Sequence, residues 1–387
     1  MINLKKRFKG LTTIILIGVL AMSMCFTACT KKPEVLEKSK TEQGSNEKDS
    51  KFMKVENSSA FSVEYLENDV KVVTDGEGRK FLLVPKEGQV PEGHKDATVI
   101  RTPVENVLFC SITQVGMIRP LGVWDKVGGV TQDKGSWPFP EIEEGLNKGN
   151  IKFIGNSSEP DYEKIQDLNP DITFVYTGSY PQTGIINKLE ELGLPYAVDN
   201  EYMESKHTGR MEWIKFLATF FNEDDKAVEY VDRQIKDLEE MSNKIKDAKK
   251  PKVVWGSIND GIVYVPGPES YVAEAVKTAG GEYLTPEIKG SGSSQISVEE
   301  FYQLLQDADI FMYSSNKKYL PDYKALSELA PVIGDAPVVK DKQVWQFSED
   351  YYMDTDKADE QVIDLASILH PELFKDYKVK HYNPLAK

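Results

Sequence analysis

The chain has 387 residues, a formal net charge of −15 at pH 7 and only three cysteines. An acidic chain lacks the basic face that nucleic-acid binding requires, so we expect no nucleic-acid partner. The length exceeds what one compact core usually holds and fits two domains.

Residues 1–28 have the pattern of a lipoprotein signal peptide. Four basic residues precede an apolar run, residues 11–24, which is too short to span a membrane comfortably. Small Ala28 then precedes Cys29, which we predict to be lipidated. Because two acyl chains anchor a protein stably, we expect the chain on the outer face of the cell membrane. An ordinary signal peptide or an uncleaved anchor is the alternative.

Residues 29–58 are highly charged and nearly free of apolar side chains, which predicts a flexible tether. Residues 59–205 then alternate strand and helix, which predicts an N-terminal lobe with a parallel sheet covered by helices. The same alternation restarts at "KPKVVWGS" and fills a C-terminal lobe, residues 250–387. Between them, residues 206–249 carry apolar side chains at helical spacing, with a break expected over residues 222–225. The pattern therefore predicts two α/β lobes joined by one long helix.

Two segments, "DYEKIQDLNPDITFVY" and "SVEEFYQLLQDADIFMY", have the same order of features. Each begins with a helix N-cap, Asp161 or Ser297, and has a glutamate two positions later, Glu163 or Glu299. In the second segment Glu300 is placed to complete a capping box with Ser297. One first-turn glutamate is explained by the helix dipole. Two at matching places in the two lobes indicate a paired function.

The chain resembles the substrate-binding lipoproteins of ABC importers for ferric siderophores, haem and vitamin B12, over roughly residues 98–374. The resemblance rests on five segments in order: "QVGMIRPLGVWDKVGGV", "SSEPDYEKIQDLNPDITFVYTG", "GRMEWIKFLATFF", "VPGPESYVAEAVKTAGGEYL" and "ISVEEFYQLLQDADIFMYSS". It implies two Rossmann-like α/β lobes with parallel sheets joined by one long rigid helix. It also implies a non-enzymatic protein that delivers its ligand to an ABC permease dimer with ATPase subunits. In that family a first-turn glutamate of each lobe docks into arginine pockets of the permease; the matching positions are Glu163 and Glu299.

Ligands of open α/β sheets bind at the carboxyl ends of the strands, and those of two-lobed proteins bind between the lobes. The loops predicted there are rich in tyrosine and tryptophan, whose flat rings with polar tips suit a bulky chelate or tetrapyrrole. For any one of these residues, core packing or a solvated loop is the alternative. The candidates are Ser111, Trp137, Tyr176, Tyr180, Arg210, Trp255, Tyr271, Tyr313, Tyr351 and Tyr352.

Only five arginines follow residue 28, and an anionic catecholate chelate or haem would favour several in the cleft. A ferric siderophore of low anionic charge is therefore the first choice, with a corrinoid (vitamin B12) or haem as alternatives. Lysines could still meet an anionic ligand.

A zinc or manganese site would need a cluster of histidines and carboxylates, whereas the four histidines are widely separated. We therefore expect no metal site and no cofactor. An exported hydrolase is the alternative from another class. The chain has no G-x-S-x-G elbow, and Cys110 has no Cys-His signature around it, so we expect no catalytic residues.

Overall fold

The computed structural model describes residues 51–387. The predicted signal peptide, Cys29 and most of the predicted tether lie outside the described residues. Between residues 51 and 387, no helix is both long and apolar enough to cross a membrane.

The described part contains three sheets and a set of helices, labelled in chain order. The strands are β1 (Ser62–Tyr65), β2 (Lys71–Thr74), β3 (Lys80–Pro85), β4 (Ala97–Thr102), β5 (Val107–Phe109), β6 (Val127–Val130), β7 (Lys152–Phe153), β8 (Ile172–Val175), β9 (Tyr196–Val198), β10 (Lys252–Asn259), β11 (Ile262–Pro266), β12 (Glu282–Leu284), β13 (Ser293–Ile296), β14 (Ile310–Asn316), β15 (Val344–Phe347) and β16 (Tyr382–Pro384). The α-helices are α1 (Ile112–Met117), α2 (Pro140–Lys148), α3 (Tyr162–Leu168), α4 (Tyr180–Leu192), α5 (His207–Phe221), α6 (Asp224–Ile245), α7 (Tyr271–Thr278), α8 (Val298–Gln306), α9 (Tyr323–Leu329), α10 (Pro337–Lys340) and α11 (Ala358–Leu369).

The N-terminal lobe is built on a five-stranded parallel sheet of order β7-β6-β5-β8-β9. Its strands are buried on both faces, as parallel strands usually are. Phe109 and Phe174 belong to the core that contains α5, whereas Leu108 and Val175 belong to the core beneath α3 and α4. The predicted parallel sheet of this lobe is confirmed.

The C-terminal lobe has a mixed sheet of order β13-β11-β10-β14-β15-β16, with β12 beside β10. Its centre, β12, β10, β14 and β15, is parallel as predicted. The pairs β10–β11, β11–β13 and β15–β16 are antiparallel, a feature that the sequence pattern did not indicate. Both lobes thus place a parallel pair at the centre, β5–β8 in one and β10–β14 in the other.

A further four-stranded sheet, β1-β2-β3-β4, precedes the N-terminal lobe and was not predicted. The segment "TVIRTPVENVLFCS" divides into β4 in this sheet and β5 in the lobe sheet. Pro103 lies between the two strands. A proline has no N–H to donate to a strand ladder, which explains why the strand ends before it.

The region between the lobes contains two helices, α5 and α6, rather than one long helix. The break falls at Asn222, as predicted, and this residue adopts a left-handed conformation with φ of 58°. Asparagine is among the few residues that occupy this conformation readily at a helix end. Helix α5 is buried along nearly its whole length, and its aromatic side chains pack on the N-terminal lobe: the ring centroids of Phe220 and Phe174 are 5.1 Å apart.

Residues 51–58 were assigned to the flexible tether, but they pack against α5. Met53 is buried, and the buried Glu212 carboxylate accepts hydrogen bonds from the backbone N–H groups of Glu56, Asn57 and Ser58 at 2.7–2.9 Å. The composition of residues 51–58 alone does not indicate order, because the segment has low hydrophobicity. The Glu212 carboxylate, some 155 positions further along the chain, holds it in place. The prediction of a flexible tether is therefore wrong for residues 51–58.

A charged network joins the two lobes close to α1. Arg119, which follows α1, donates to the Asp356 carboxylate at 2.8 Å and lies 2.8 Å from the Asp354 carboxylate. Both aspartates belong to the loop of the C-terminal lobe that precedes α11. The helix itself approaches this loop closely, because a Cβ at Gly116 would collide with the carbonyl oxygen of Met353. The lobes therefore meet through both packing and charge.

His381 extends this network inside the C-terminal lobe. Its Nδ1 lies 2.8 Å from an Asp364 oxygen and its Nε2 lies 3.4 Å from an Asp354 oxygen. Burial opposes the charged imidazole, but the two carboxylates outweigh it and raise the pKa of His381 to about 9. A histidine whose pKa is higher in the folded than in the unfolded chain stabilises the fold while it is protonated.

We therefore expect the free energy of unfolding to fall as the pH rises from about 6.5, the unfolded-state pKa, to about 9. The contribution of His381 is about 3 kcal/mol, fully present below pH 6.5 and lost above the folded-state pKa. Urea unfolding at a series of pH values checks this, with His381→Gln as the comparison. If the difference between wild type and variant does not change with pH, the imidazole is neutral in the folded protein.

Candidate functional site

A polar cavity of about 160 Å³ lies at the carboxyl ends of the strands of the N-terminal lobe. Its walls come from the segments that follow three neighbouring strands, β5, β8 and β9. The lining residues are Ser111, Thr113, Gln114, Tyr176, Asp199, Glu201 and Tyr202. This is the edge of an α/β sheet at which ligands bind, because loops from adjacent strands converge there.

The start of α1 forms one wall of the cavity. Ser111 caps the helix by accepting a hydrogen bond from Thr113 N at 3.3 Å, and Gln114 Oε1 accepts one from Ser111 N at 3.1 Å. The fully buried Gln114 also donates to the carbonyl oxygen of Val175 at 3.4 Å. The reciprocal capping bonds and the anchor on β8 fix the hydroxyl groups of Ser111 and Thr113 in place.

Two carboxylates form the opposite wall. Asp199 follows β9 directly and is 1 % exposed, and its Oδ1 accepts a hydrogen bond from Glu201 N at 3.1 Å. Its Oδ2 has no hydrogen-bond partner anywhere in residues 51–387. Burial, reinforced by the nearby Glu201 carboxylate, raises the pKa of Asp199 well above its usual value. Glu201 is paired instead, accepting from Arg210 Nε at 2.6 Å.

Arg210 connects this wall to the C-terminal lobe. It is buried at the start of α5, and its guanidinium lies 4.1 Å from the centroid of the Tyr271 ring, at the first position of α7. Burial opposes the charge of Arg210, but Glu201 and the neighbouring tyrosine hydroxyls hold its pKa above the usual range. Tyr351 belongs to the same cluster and stacks on Phe347 at 3.8 Å between ring centroids. The two lobes thus meet here through a guanidinium and aromatic rings.

Several aromatic side chains near the ends of the strands are exposed, which is unusual for rings of this size. Tyr180, the first residue of α4, is 93 % exposed, and Tyr319, which follows β14, is 70 % exposed. Tyr352 follows β15, is 46 % exposed and lies edge-on to Tyr351 at 5.4 Å. These rings supply apolar contact area at the margins of the two lobes.

Three of the predicted ligand-binding residues lie in the core instead. Trp137 donates its indole N–H to the Gln132 carbonyl, and the Tyr313 hydroxyl bonds both backbone groups of Ile258. Trp255 is 2 % exposed. Trp255 and Tyr313 lie within strands β10 and β14 rather than in the loops that follow these strands. Both faces of these strands are buried, so the two side chains pack in the core.

The other predicted residues are divided between three places. Ser111 and Tyr176 line the cavity, and Arg210, Tyr271 and Tyr351 form the contact between the lobes. Tyr180 and Tyr352 are exposed, and Tyr352 lies against Tyr351. The sequence analysis did not select four cavity residues, Gln114, Asp199, Glu201 and Tyr202. A usable signal existed for one of them, because Asp199 directly follows the short apolar segment "YAV" and so lies at a strand's carboxyl end.

Glu163 and Glu299 occupy equivalent positions, the second residue of α3 and of α8. Both are exposed, and neither side chain has an ion pair or hydrogen bond with any described residue. The predicted N-caps are confirmed: Asp161 and Ser297 each accept a backbone N–H at 3.1 Å. Only the Ser297 half of the predicted capping box forms in the described structure, because Glu300 accepts no bond from Ser297 N.

The alternatives raised by the sequence find little support at this site. Within residues 51–387 no group of three or more histidine, cysteine, aspartate or glutamate side chains is arranged to hold a metal ion. Cys110 is 1 % exposed, and burial raises the pKa of its thiol to about 12. A thiol with that pKa is protonated at neutral pH and is a poor nucleophile.

Residues 110–351 match the family model described as periplasmic binding protein. This chain belongs to the periplasmic binding protein family. An uncharacterized lipoprotein of Methanocaldococcus jannaschii is 35 % identical over 324 residues, which cover 81 % of this chain and 77 % of that protein.

Solved periplasmic binding proteins share the fold at low sequence identity. The iron uptake ABC transporter substrate-binding protein PiuA of Streptococcus pneumoniae is 18 % identical, with a TM-score of 0.53 over 69 % of this chain and 93 % of that one. The periplasmic haem-binding protein RhuT of Roseiflexus sp. RS-1 is 14 % identical, with a TM-score of 0.55 over 70 % and 99 %. The sheet β1–β4 lies before the segment that matches the family model.

Proposed function

We propose that this periplasmic binding protein is the extracytoplasmic, lipid-anchored substrate-binding component of an ABC importer, and that it binds a ferric siderophore between its lobes. The observation that carries this proposal is the polar cavity at the ends of β5, β8 and β9, beside the Arg210–Tyr271 contact between the lobes. The hydroxyl groups of Ser111 and Thr113 are not hydrogen-bonded to a histidine or carboxylate in the described structure, and no group of residues there is arranged to hold a metal ion. We therefore propose a binding protein rather than an enzyme.

The size of the cavity divides the ligand into two parts. Sites for drug-sized ligands have volumes of roughly 300–1,000 Å³, well above the 160 Å³ of this cavity. Only one group of a chelate therefore enters the cavity. The remainder is covered by the exposed rings of Tyr180 and Tyr352, with a modest tilt of the lobes to admit it.

The arginines favour a chelate of low anionic charge. Four of the five guanidiniums in residues 51–387 are held by protein groups: Arg79 by Asp75, Arg101 by the carbonyls of Pro85 and Gly88, Arg119 by Asp354 and Asp356, and Arg210 by Glu201. Arg233 is exposed on α6, over the ring of Tyr230. A tris-catecholate chelate would need at least one of these pairs to break.

Glu163 and Glu299 are proposed as the docking residues for the permease dimer. A helix that packs between parallel strands runs antiparallel to them, so its N-terminus lies at the edge where the strands end. Both glutamates therefore lie towards the cleft side of their lobes. Exposed carboxylates without internal partners suit arginine pockets on a two-fold symmetric permease.

Haem or a corrinoid is the alternative ligand for the same architecture. The exposed tyrosines favour haem, since a phenolate is a known axial ligand of haem iron. The absence of a spare arginine near the cavity in the described residues argues against its two propionates.

A titration of the purified full chain with a ligand panel tests the proposal. The panel holds ferric hydroxamate, ferric catecholate, haem and cobalamin, and the readout is quenching of the five tryptophans. We expect one ferric chelate to bind with a micromolar or lower Kd and its iron-free form to bind far more weakly. If no member of the panel binds, the proposed function is wrong.

A further inference from the structure

The cavity is acidic, and one of its acids has no partner. Asp199 Oδ2 has no hydrogen-bond partner in the described part of the chain, although the side chain is 99 % withdrawn from solvent. A buried carboxylate oxygen without a partner destabilises the fold, because it has lost its hydration and gained no hydrogen bond in return. A group outside residues 51–387 that supplies the missing donor would therefore bind with a local advantage.

No protein group in the described residues hydrogen-bonds Asp199 Oδ2. Arg210 acts on Asp199 through its charge, but its Nε donates to the Glu201 carboxylate at 2.6 Å. The residues that line the cavity include two carboxylates and no lysine, arginine or histidine. Glu201 is paired with Arg210, whereas Asp199 forms no ion pair in the described structure, so a cation that enters the cavity would favour the charged form of Asp199.

Aromatic rings complete a setting that favours a cation. Tyr176 and Tyr202 both line the cavity, with ring centroids 5.9 Å apart and planes at 80°. The Tyr202 hydroxyl is held by the carbonyl oxygen of Thr177 at 2.6 Å. Ring faces attract ammonium and guanidinium groups, and the attraction is larger where water is excluded. The volume of 160 Å³ admits such a group with its alkyl stem but not a whole chelate.

We infer that this cavity binds a positively charged ammonium or guanidinium group of the ligand, with Asp199 as its counter-ion. The inference rests on the proposed binding function and narrows it to chelates that carry a cationic arm. Burial and the Glu201 carboxylate raise the pKa of Asp199. A bound cation opposes both effects and restores the charged carboxylate.

Two ferric chelates that differ in one charge provide the test. Ferrioxamine B is a trihydroxamate whose iron complex carries a free ammonium, and acetylation of that amine gives a neutral complex of the same chelate. With the full chain we expect the acetylated form to bind at least tenfold more weakly. In Asp199→Asn the ammonium form should lose at least tenfold in affinity, so that the difference between the two chelates nearly disappears.

Asp167→Asn is the matched control, because Asp167 is exposed on α3 and away from the cavity, and it should leave both affinities unchanged. The melting temperature of Asp199→Asn should equal or exceed that of the wild type, since the substitution removes an unpaired buried carboxylate. A melting temperature that falls substantially would mean that Asp199 is structural and would overturn the inference.

The remaining outcomes separate this inference from the proposed function. Equal affinities for the two chelates, or tighter binding of the acetylated form, overturn the inference and leave the binding function standing. If only an anionic catecholate or haem binds, the inference is likewise overturned and the binding function stands. If no ferric chelate, haem or cobalamin binds at all, the proposed function fails and the inference fails with it.

Discussion

Replacing Glu163 and Glu299 together by alanine is expected to lower cellular uptake of the ferric chelate at least tenfold, while the affinity of the purified chain for the chelate stays the same. Both carboxylates are exposed, lack partners in the described structure and occupy the same position of equivalent helices. Hydrogen bonds to charged groups contribute about 1.5–3 kcal/mol each, so the loss of two weakens docking strongly. Uptake of radiolabelled iron and a fluorescence titration measure the two quantities separately.

The control for this experiment uses the opposite ends of the same two helices. Asp167 closes α3 and Asp307 follows α8, and both are exposed. The double substitution Asp167→Ala with Asp307→Ala changes the net charge by the same amount and should leave uptake intact. If both double variants lower uptake equally, net charge rather than docking is responsible. If neither does, the glutamates have no role at the permease.

The second large effect concerns stability. Arg119→Met is expected to lower the free energy of unfolding by about 3 kcal/mol, the lower end of the cost of breaking a buried ion pair. The substitution leaves the buried Asp356 and the partly buried Asp354 without their shared cation. Burial already raises the pKa of Asp356 to about 6 with the arginine present, so the aspartate depends on that neighbour. Urea unfolding at pH 7 measures the change.

Two further variants establish the cause of this loss. Lys86→Ala removes a cation that pairs with Glu105 at 2.8 Å on the exposed surface, and it should cost less than about 1 kcal/mol. Adding Asp356→Asn to Arg119→Met should recover part of the stability, because it removes one of the two carboxylates that lost their ion-pair partner. A loss in Arg119→Met no greater than in Lys86→Ala would mean that the contact between the lobes rests on packing alone.

The parts of the fold that are determined by residues close together in the sequence could be predicted from the sequence. Asp161 was predicted as the N-cap of the helix in "DYEKIQDLNPDITFVY", and it caps α3, which leads into β8. The helix break at Asn222 also has a local cause, because asparagine adopts the left-handed conformation there. Features that depend on distant residues could not be found in this way.

The order of residues 51–58 is one such feature, since it depends on the Glu212 carboxylate of α5. The sheet β1–β4 is another, because its strands are short and its core contacts, such as Phe61 against Trp213, come from a helix far along the chain. The antiparallel strands of the C-terminal lobe likewise depend on pairings between separate segments rather than on any one segment's periodicity.

The candidate cavity was predicted by location better than by residue. The rule that ligands bind at the carboxyl ends of strands directed attention to Ser111 and Tyr176, and both line the cavity. Selecting aromatic residues near strand ends also included Trp255, whose side chain faces the core. The same selection left out Asp199, because the sequence does not indicate that an aspartate after a strand is buried or that one of its oxygens lacks a hydrogen-bond partner. Burial and hydrogen-bond satisfaction are properties of the fold.

The absorption spectrum and metal content of the full chain, purified from the membranes of its host, test the central claim most directly. We predict about one iron atom per chain, present as a chelate, with the visible charge-transfer band of a ferric siderophore. Haem or corrin bands at the same stoichiometry would mean that the protein serves an importer of haem or a corrinoid instead of a ferric siderophore. A chain that is colourless and free of iron, and that takes up no ferric chelate when the complex is supplied, would contradict the account.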